Sequence, residues 1–189
     1  MTTLSLSAIF IIFAVCIGTS FGCTCRPSHA QELICDADFV IQGQVLRSSI
    51  QGHQRIYKVL VIAKYKCKFG LPIKPGSIIV LSTPISREAC GVHLLEGLKY
   101  ILSGTAIPGG LHIDACGYNR LLFSISRCDF DNIRYGRYQA NCGCQVVNCF
   151  PPQPFCPRPK CGCVSTRIEH QDSVCVKHHG QRCYWNRFC

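Results

Sequence analysis

The sequence predicts a mainly β protein: a small closed barrel of five strands with flanking helices, followed by a small disulfide-rich C-terminal region. Three observations predict it. Five short apolar segments rich in β-branched residues follow one another between residues 39 and 115. Seventeen cysteines in 189 residues is a density that belongs to oxidising compartments. The spacing of those cysteines then changes abruptly near Cys142–Cys144, from wide to dense.

Taken in order, residues 1–22 read as a secretory signal. Ala8–Ile17 is an apolar run of ten, too short to span a bilayer. Ser20 and Gly22 place small residues at −3 and −1 of a cut before Cys23; a cut after Ser20, with Gly18 at −3, also fits. Removing 22 residues leaves 167 and takes Cys16 away, so sixteen cysteines remain. Eight lie in residues 23–142 and eight in residues 143–189. That division sets the expected organisation: a signal at 1–22, a barrel domain at 23–142 and a Cys-rich domain at 143–189.

The barrel domain opens on an extended Cys23-Thr24-Cys25-Arg26-Pro27. Ser28 is placed to cap a short helix reaching Cys35, with Gln31 three residues on as in a capping box. Phe39–Leu46 reads as a strand, with Gly43 marking a bulge or bend. Arg55–Tyr65 alternates Ile56, Lys58, Leu60 and Ile62 against Tyr57, Val59 and Val61, so it is a second strand. Gly52-His53 turns the chain between them, and the short hairpin Arg47–Arg55 offers no long arm. Ile78–Ser82, Tyr100–Thr105 and Leu111–Ala115 supply three more strands, each bounded by Gly or Pro. Five curved strands with a helix at each end fit a barrel of OB type. Leu121–Tyr138 is the second helix, interrupted in propensity by Ser124, Ser126 and Gly136.

The last 47 residues carry eight cysteines and half of the prolines, at 151, 152, 154, 157 and 159. That proline stretch is extended or turn-like. So small a unit buries too little apolar area by itself, and its disulfides must do much of the holding.

The charge is +10, with 20 Lys and Arg against 10 acids. The excess is spread along the chain, with one cluster at Lys64, Lys66 and Lys68 on alternate positions, hence one strand face. A secreted chain does not meet nucleic acid. A sulfated matrix glycosaminoglycan is a candidate partner for the cluster, a solvated face the simpler account. His178-His179 reads as a solvated pair rather than a metal site. No Ser-His-Asp order, His-Glu-x-x-His motif or usefully spaced carboxylate pair is present, so no enzyme and no bound cofactor are expected. There is no membrane span after the signal, no internal repeat and no Asn-x-Ser/Thr acceptor.

Cys23-Thr24-Cys25, directly after the cleavage site, is the feature that carries chemistry. It has three readings. Both cysteines staple the N-terminus to the barrel; or they form a Cys-x-Cys metal site; or the new N-terminus is itself the functional group. An α-amino group has a pKa of about 7.7–8.0, so a metal displaces its proton near neutral pH. With the adjacent carbonyl oxygen it forms a five-membered chelate suited to the open position of a catalytic zinc.

The same residues carry a resemblance. Cys23-Thr24-Cys25-Arg26-Pro27, His29 and Cys35-Asp36-Ala37-Asp38-Phe39-Val40-Ile41 resemble the N-terminus of the tissue inhibitors of metalloproteinases. Glu88-Ala89-Cys90-Gly91 resembles that family's connector and Leu111-His112-Ile113-Asp114-Ala115-Cys116 its fifth-strand exit. Val174-Cys175 with Cys183-Tyr184-Trp185 resembles its terminal block. The chain is similar to an invertebrate-type member with extra cysteines.

The resemblance implies a netrin-like OB barrel that inhibits zinc endopeptidases, matrix metalloproteinases above all, as a secreted monomer. It implies that Cys23 chelates the zinc of the target protease through its amine and carbonyl, and that Thr24 enters the S1′ pocket. Cys25, Arg26 and Pro27 would follow the primed subsites; Glu88, Ala89, Cys90 and Gly91 would lie on the unprimed side. It implies the bridges Cys23–Cys90, Cys25–Cys116 and Cys35–Cys142. Cys67 and Cys128, which have no family counterpart, are then left to pair with each other. In the second region it suggests Cys144–Cys183, Cys149–Cys156 and Cys163–Cys175, leaving Cys161–Cys189, with Cys161 and Cys163 open to exchange. The competing class is a netrin-like extracellular binding or signalling module that inhibits no protease.

Overall fold

A computed structural model describes residues 22–149, 156, 159–165, 172–178 and 182–189. Residues 1–21 of the segment read as a signal (1–22), most of the proline stretch and His179 lie outside the described residues.

Helix α1 spans Ala30–Asp36. Its N-cap is His29, not Ser28: the His29 Nδ1 accepts from the Gln31 amide at 3.1 Å. An imidazole nitrogen one residue later does the work expected of the serine hydroxyl, and the Gln31 side chain is thereby released for a different task.

Strands β1 (Phe39–Gln51) and β2 (Gln54–Cys67) form an antiparallel hairpin that continues to the pair Gln51–Gln54. The hairpin is therefore longer than its sequence suggests. Polar residues such as Ser48 and Ser49 break the apolar alternation, but the backbone ladder does not need it. Register shifts fall at Val40/Ile41, Gln42/Gly43 and Val45/Arg47, and the bulge expected at Gly43 is among them. β3 (Ile78–Pro84), β4 (Lys99–Ile107) and β5 (Gly110–His112) follow. β1 pairs with both β2 and β4, β2 with β3, β3 with β5 and β5 with β4, so five strands close into a ring. The β3–β5 pairing is parallel; the other four are antiparallel.

Phe39, Ile41, Tyr57, Leu81, Leu102 and Ile113 are fully buried inside the ring. At about 25 cal/mol per Å² of apolar surface, side chains of this size contribute roughly 1.5–3 kcal/mol each.

The single helix read over Leu121–Tyr138 is several elements. β6 (Arg120–Leu121) pairs with β4, a one-turn 3₁₀ segment covers Leu122–Ser124, and α2 (Arg127–Arg134) and α3 (Arg137–Ala140) follow. Ser126 N-caps α2 by accepting from Asp129 N–H at 3.0 Å. Gly136, at φ 66°, breaks the helix in the left-handed region that a side chain disfavours.

In the second region β7 (Gln145–Asn148) pairs in parallel with β8 (Gly162–Ser165), and β9 (Val174–Lys177) pairs antiparallel with β10 (Cys183–Asn186). Four-residue strands carry too little periodicity to be read from sequence.

The two regions share a seam. Val174 and Val176 are buried with Ile34, Val40, Ile101 and Tyr138 in one apolar cluster. The fully buried Gln31 donates to the carbonyls of Cys175 and Asn141 at 2.9 and 3.0 Å and accepts from Cys175 N–H at 2.8 Å. Burial pushes the Tyr118 and Tyr138 hydroxyls up, so both stay protonated and donate to Asp129.

Seven disulfides are formed among the described residues: Cys23–Cys90, Cys25–Cys116, Cys35–Cys142, Cys128–Cys189, Cys144–Cys183, Cys149–Cys156 and Cys163–Cys175. The expected Cys67–Cys128 and Cys161–Cys189 bridges are replaced by Cys128–Cys189, which crosses between the regions and leaves Cys67 and Cys161 as thiols. The cause is position. Cys67 ends β2 opposite Phe39 and packs on the ring core, whereas Cys128 is buried in the first turn of α2, with its Sγ against the Asp172 carbonyl of the second region. The last residue of the chain reaches that seam, at a Cα–Cα distance of 5.6 Å.

Candidate protease-binding ridge

Two disulfides bring the N-terminal segment and the Glu88–Gly91 connector together. Cys23–Cys90 and Cys25–Cys116 lie side by side: the Cys23 and Cys25 sulfurs are 3.7 Å apart and those of Cys90 and Cys116 3.8 Å apart. All four sulfurs fall within 4.8 Å of one another. Because each is in a disulfide, none is the thiolate a metal requires, so this cluster is a covalent clamp rather than a metal centre. The same holds for the buried group Cys144, Cys175 and Cys183.

Thr24 stands exposed between the two clamped cysteines. Its hydroxyl donates to the Gly22 carbonyl at 3.4 Å, a contact that removal of residue 22 abolishes. Arg26 and Pro27 are also exposed, as are Glu88 and Ala89 across the clamp; Cys90 and Gly91 are half-buried.

The connector is held from below by groups that sequence reading did not single out. Tyr57, fully buried, donates to the Val92 carbonyl at 3.1 Å and accepts from Leu94 N–H at 2.9 Å. Tyr100 accepts from Leu95 N–H and Thr83 from Val92 N–H. Gly91 N–H donates to the Ser86 carbonyl at 2.9 Å, and a Cβ at Gly91 would collide with the carbonyl oxygens of Pro84 and Ser86. Cys90 has φ 62°, the one non-glycine residue with positive φ among the described residues. Such a conformation costs of order 1–3 kcal/mol and persists where the surroundings over-determine it. Here the Cys23 bridge and the Ala115 N–H bond to the Cys90 carbonyl, 2.8 Å long, hold it.

Cys116 is placed by Asp114, whose carboxylate accepts from the amides of Cys116 and Gly117 at 2.8 and 3.1 Å. Asn119 donates to the Asp114 carbonyl and accepts from Ser103 N–H, tying this turn to β4. A groove of about 270 Å³ runs beside the N-terminal segment, and both regions line it: Arg26, Pro27, Cys116 and Arg120 from the first, Asn148 and Ser165 from the second.

The Lys64, Lys66 and Lys68 cluster dissolves on folding. Lys66 Nζ donates to the carbonyls of Ile34 and Cys35 at 3.0 and 2.6 Å, at the C-terminus of α1. Lys68 pairs with Asp38 at 3.6 Å, while Asp38 also accepts from Ala106 N–H, which holds its carboxyl below the usual range. Lys64 alone of the three is exposed without such a role. His178 packs its ring against Tyr184 at 5.9 Å between centroids.

Known proteins match this chain along most of its length. The Drosophila melanogaster "Tissue inhibitor of metalloproteinase" is 28% identical over 202 aligned residues, covering 99% of this chain and 91% of that protein. The rat "Metalloproteinase inhibitor 4" is 25% identical, covering 90% and 83%, and the human "Metalloproteinase inhibitor 2" 29% identical, covering 78% and 70%. The family model described as "Tissue inhibitor of metalloproteinase" matches residues 22–185, a span that holds the clamp, the connector and all four strands of the second region up to Trp185. The chain therefore belongs to the tissue inhibitor of metalloproteinase family.

Proposed function

We propose that this chain is a secreted inhibitor of zinc metalloendopeptidases, matrix metalloproteinases among them, and that it acts through its mature N-terminus. Members of its family are protease inhibitors, not enzymes. The observation that carries the reading is the double clamp, which fixes Cys23-Thr24-Cys25 against the connector with Thr24 exposed. A free N-terminal peptide loses affinity to its own ordering on binding; two bridges remove that cost beforehand.

In this reading, cleavage before Cys23 frees its α-amino group. The amine and the Cys23 carbonyl oxygen occupy the open positions of the protease zinc. Thr24 enters the S1′ pocket, Cys25, Arg26 and Pro27 run along the primed side, and Glu88, Ala89, Cys90 and Gly91 cover the unprimed side. No peptide bond precedes Cys23, so the protease has nothing to cut at the zinc. The ring of five strands supports a netrin-like OB barrel over residues 23–142 as the inhibitory unit, with 143–189 as an appended Cys-rich unit acting in the same monomer. Residues 1–22 serve as the signal, and no helix among the described residues is long and apolar enough to cross a membrane. With Lys66 held by the α1 carbonyls and Lys68 paired with Asp38 at the surface, the glycosaminoglycan reading rests on Lys64 and the general positive charge.

The test is inhibition of a collagenase-type enzyme by the secreted protein, its N-terminus read by intact mass. Thr24→Gly removes the pocket contact. It should weaken inhibition by about ten- to two-hundred-fold, the worth of a small side chain in a pocket. Unchanged inhibition would remove Thr24 from S1′.

A further inference from the structure

The second region holds an arrangement of sulfurs that the ridge does not use. Cys161 carries no bridge, yet its Sγ lies 2.9 Å from Cys183 Sγ, which is already bonded to Cys144. The register of β7 and β8 explains this. Gln145 pairs with Gly162 and Val146 with Cys163, so Cys144 and Cys161 are neighbours just ahead of the parallel ladder. Gln145 N–H donates to the Cys161 carbonyl at 3.1 Å, which fixes that placement independently of any sulfur. Neighbours in such a pair project to the same face, as do residues two apart along a strand. Cys163, two residues beyond Cys161, is bonded across to Cys175 on β9. Two cysteines, Cys144 and Cys161, thus address the one sulfur of Cys183.

We propose that Cys161 is an internal exchange thiol, and that the second region exists as two interconverting disulfide isomers. Cys161 gives its proton to solvent and its thiolate attacks Cys183 Sγ. The Cys161–Cys183 bond forms as Cys144–Cys183 breaks, and the electron pair leaves on Cys144 Sγ, which takes up a proton. One thiol and one disulfide become one thiol and one disulfide, so no oxidant or reductant is consumed. The two bridges span sequence separations of 39 and 22 residues. Closure entropy changes slowly with loop length, so loop length alone gives neither bridge a large advantage. The exchange moves the free thiol from the half-buried Cys161 to the buried Cys144. It also shifts the tether of β10. Cys144 lies two residues from Cys142, which Cys35 anchors to α1, whereas Cys161 immediately precedes β8.

The experiment uses the full-length secreted protein, incubated at pH 8 with a trace of reduced glutathione. The sample is then acidified, denatured, alkylated with N-ethylmaleimide and mapped by mass spectrometry without reduction. The expected result is label at both Cys144 and Cys161, each in at least about one tenth of the molecules, since loop length alone leaves little between the two bridges. A Cys144→Ser variant should form Cys161–Cys183 and leave Cys67 as its one labelled thiol. A Cys161→Ser variant should give a single species bridged Cys144–Cys183. Label confined to one of the two cysteines under every condition, or absent from both, overturns the proposal. So does a Cys144→Ser protein labelled at both Cys161 and Cys183. The wild-type labelling decides the matter if that variant does not fold.

Discussion

In residues 23–142 the interior of the ring is built of apolar side chains. Phe39, Tyr57, Leu81 and Leu102 are fully buried in one cluster, and the two bridges of the clamp lie outside it, at the ridge. Beyond the seam residues Val174 and Val176, the described apolar interior of the second region is Cys144, Val146, Cys163 and Cys175, with Trp185 packed against them. There the sulfurs are the core. The difference teaches that one kind of bond serves two ends: bridges aim a functional segment where burial already holds the fold, and they substitute for burial where a small unit cannot supply it.

The largest effect should come from removing Cys163 and Cys175 together as serines. Loss of a native bridge from a small unit costs about 2–5 kcal/mol, and both residues are buried. Hydrogen exchange should show β9 and β10 losing protection while β1 to β4 keep theirs and inhibition persists. Loss of protection through β1 as well would break the comparison, since the ring would then depend on the second region's sulfurs.

The seam sets the next effect. Gln31→Leu removes three hydrogen bonds that join α1 to β9 and to Asn141, leaving backbone groups of Cys175 unsatisfied. Each such group costs about 1–3 kcal/mol, so the midpoint of denaturation should fall clearly. An unchanged midpoint would mean the regions are coupled through Cys128–Cys189 and apolar contacts alone.

The smallest effect belongs to Lys66→Ala. It removes a cation from the last carbonyls of α1, worth up to about 1 kcal/mol. Retention on heparin should hardly change, because this ammonium is already occupied. A marked loss of retention would restore the basic cluster read from the sequence.

Much of the ring was legible because its strands are long enough for alternation to show, as in Arg55–Tyr65. The clamp was legible through the resemblance, since Cys23, Cys25, Cys90 and Cys116 stand in a familiar order. What escaped is non-local. Cys128–Cys189 depends on where the chain end arrives, not on spacing. The four strands of the second region are too short to carry a period. Tyr57 and Tyr100 read as core residues, and nothing in their neighbours along the chain announces that their hydroxyls hold the connector. Lys66 looked like a surface charge because its helix partners lie about 30 residues away.

The proposed inhibition depends above all on the N-terminal amine of Cys23 binding the protease zinc. The direct test adds one alanine before Cys23 and measures the inhibition constant against a collagenase-type enzyme, beside the parent and Thr24→Gly. The extension turns the amine into an amide, whose nitrogen is a poor metal ligand, and places a methyl group where the zinc must approach. The clamp, held by Cys23–Cys90 and Cys25–Cys116, and the ring, held by its buried apolar core, should be unaffected. If the amine is the zinc ligand, inhibition should fall well beyond the loss from Thr24→Gly, with unchanged thermal stability. An extended protein, confirmed by mass as fully extended and by its thermal transition as folded, that inhibits as well as the parent would contradict it.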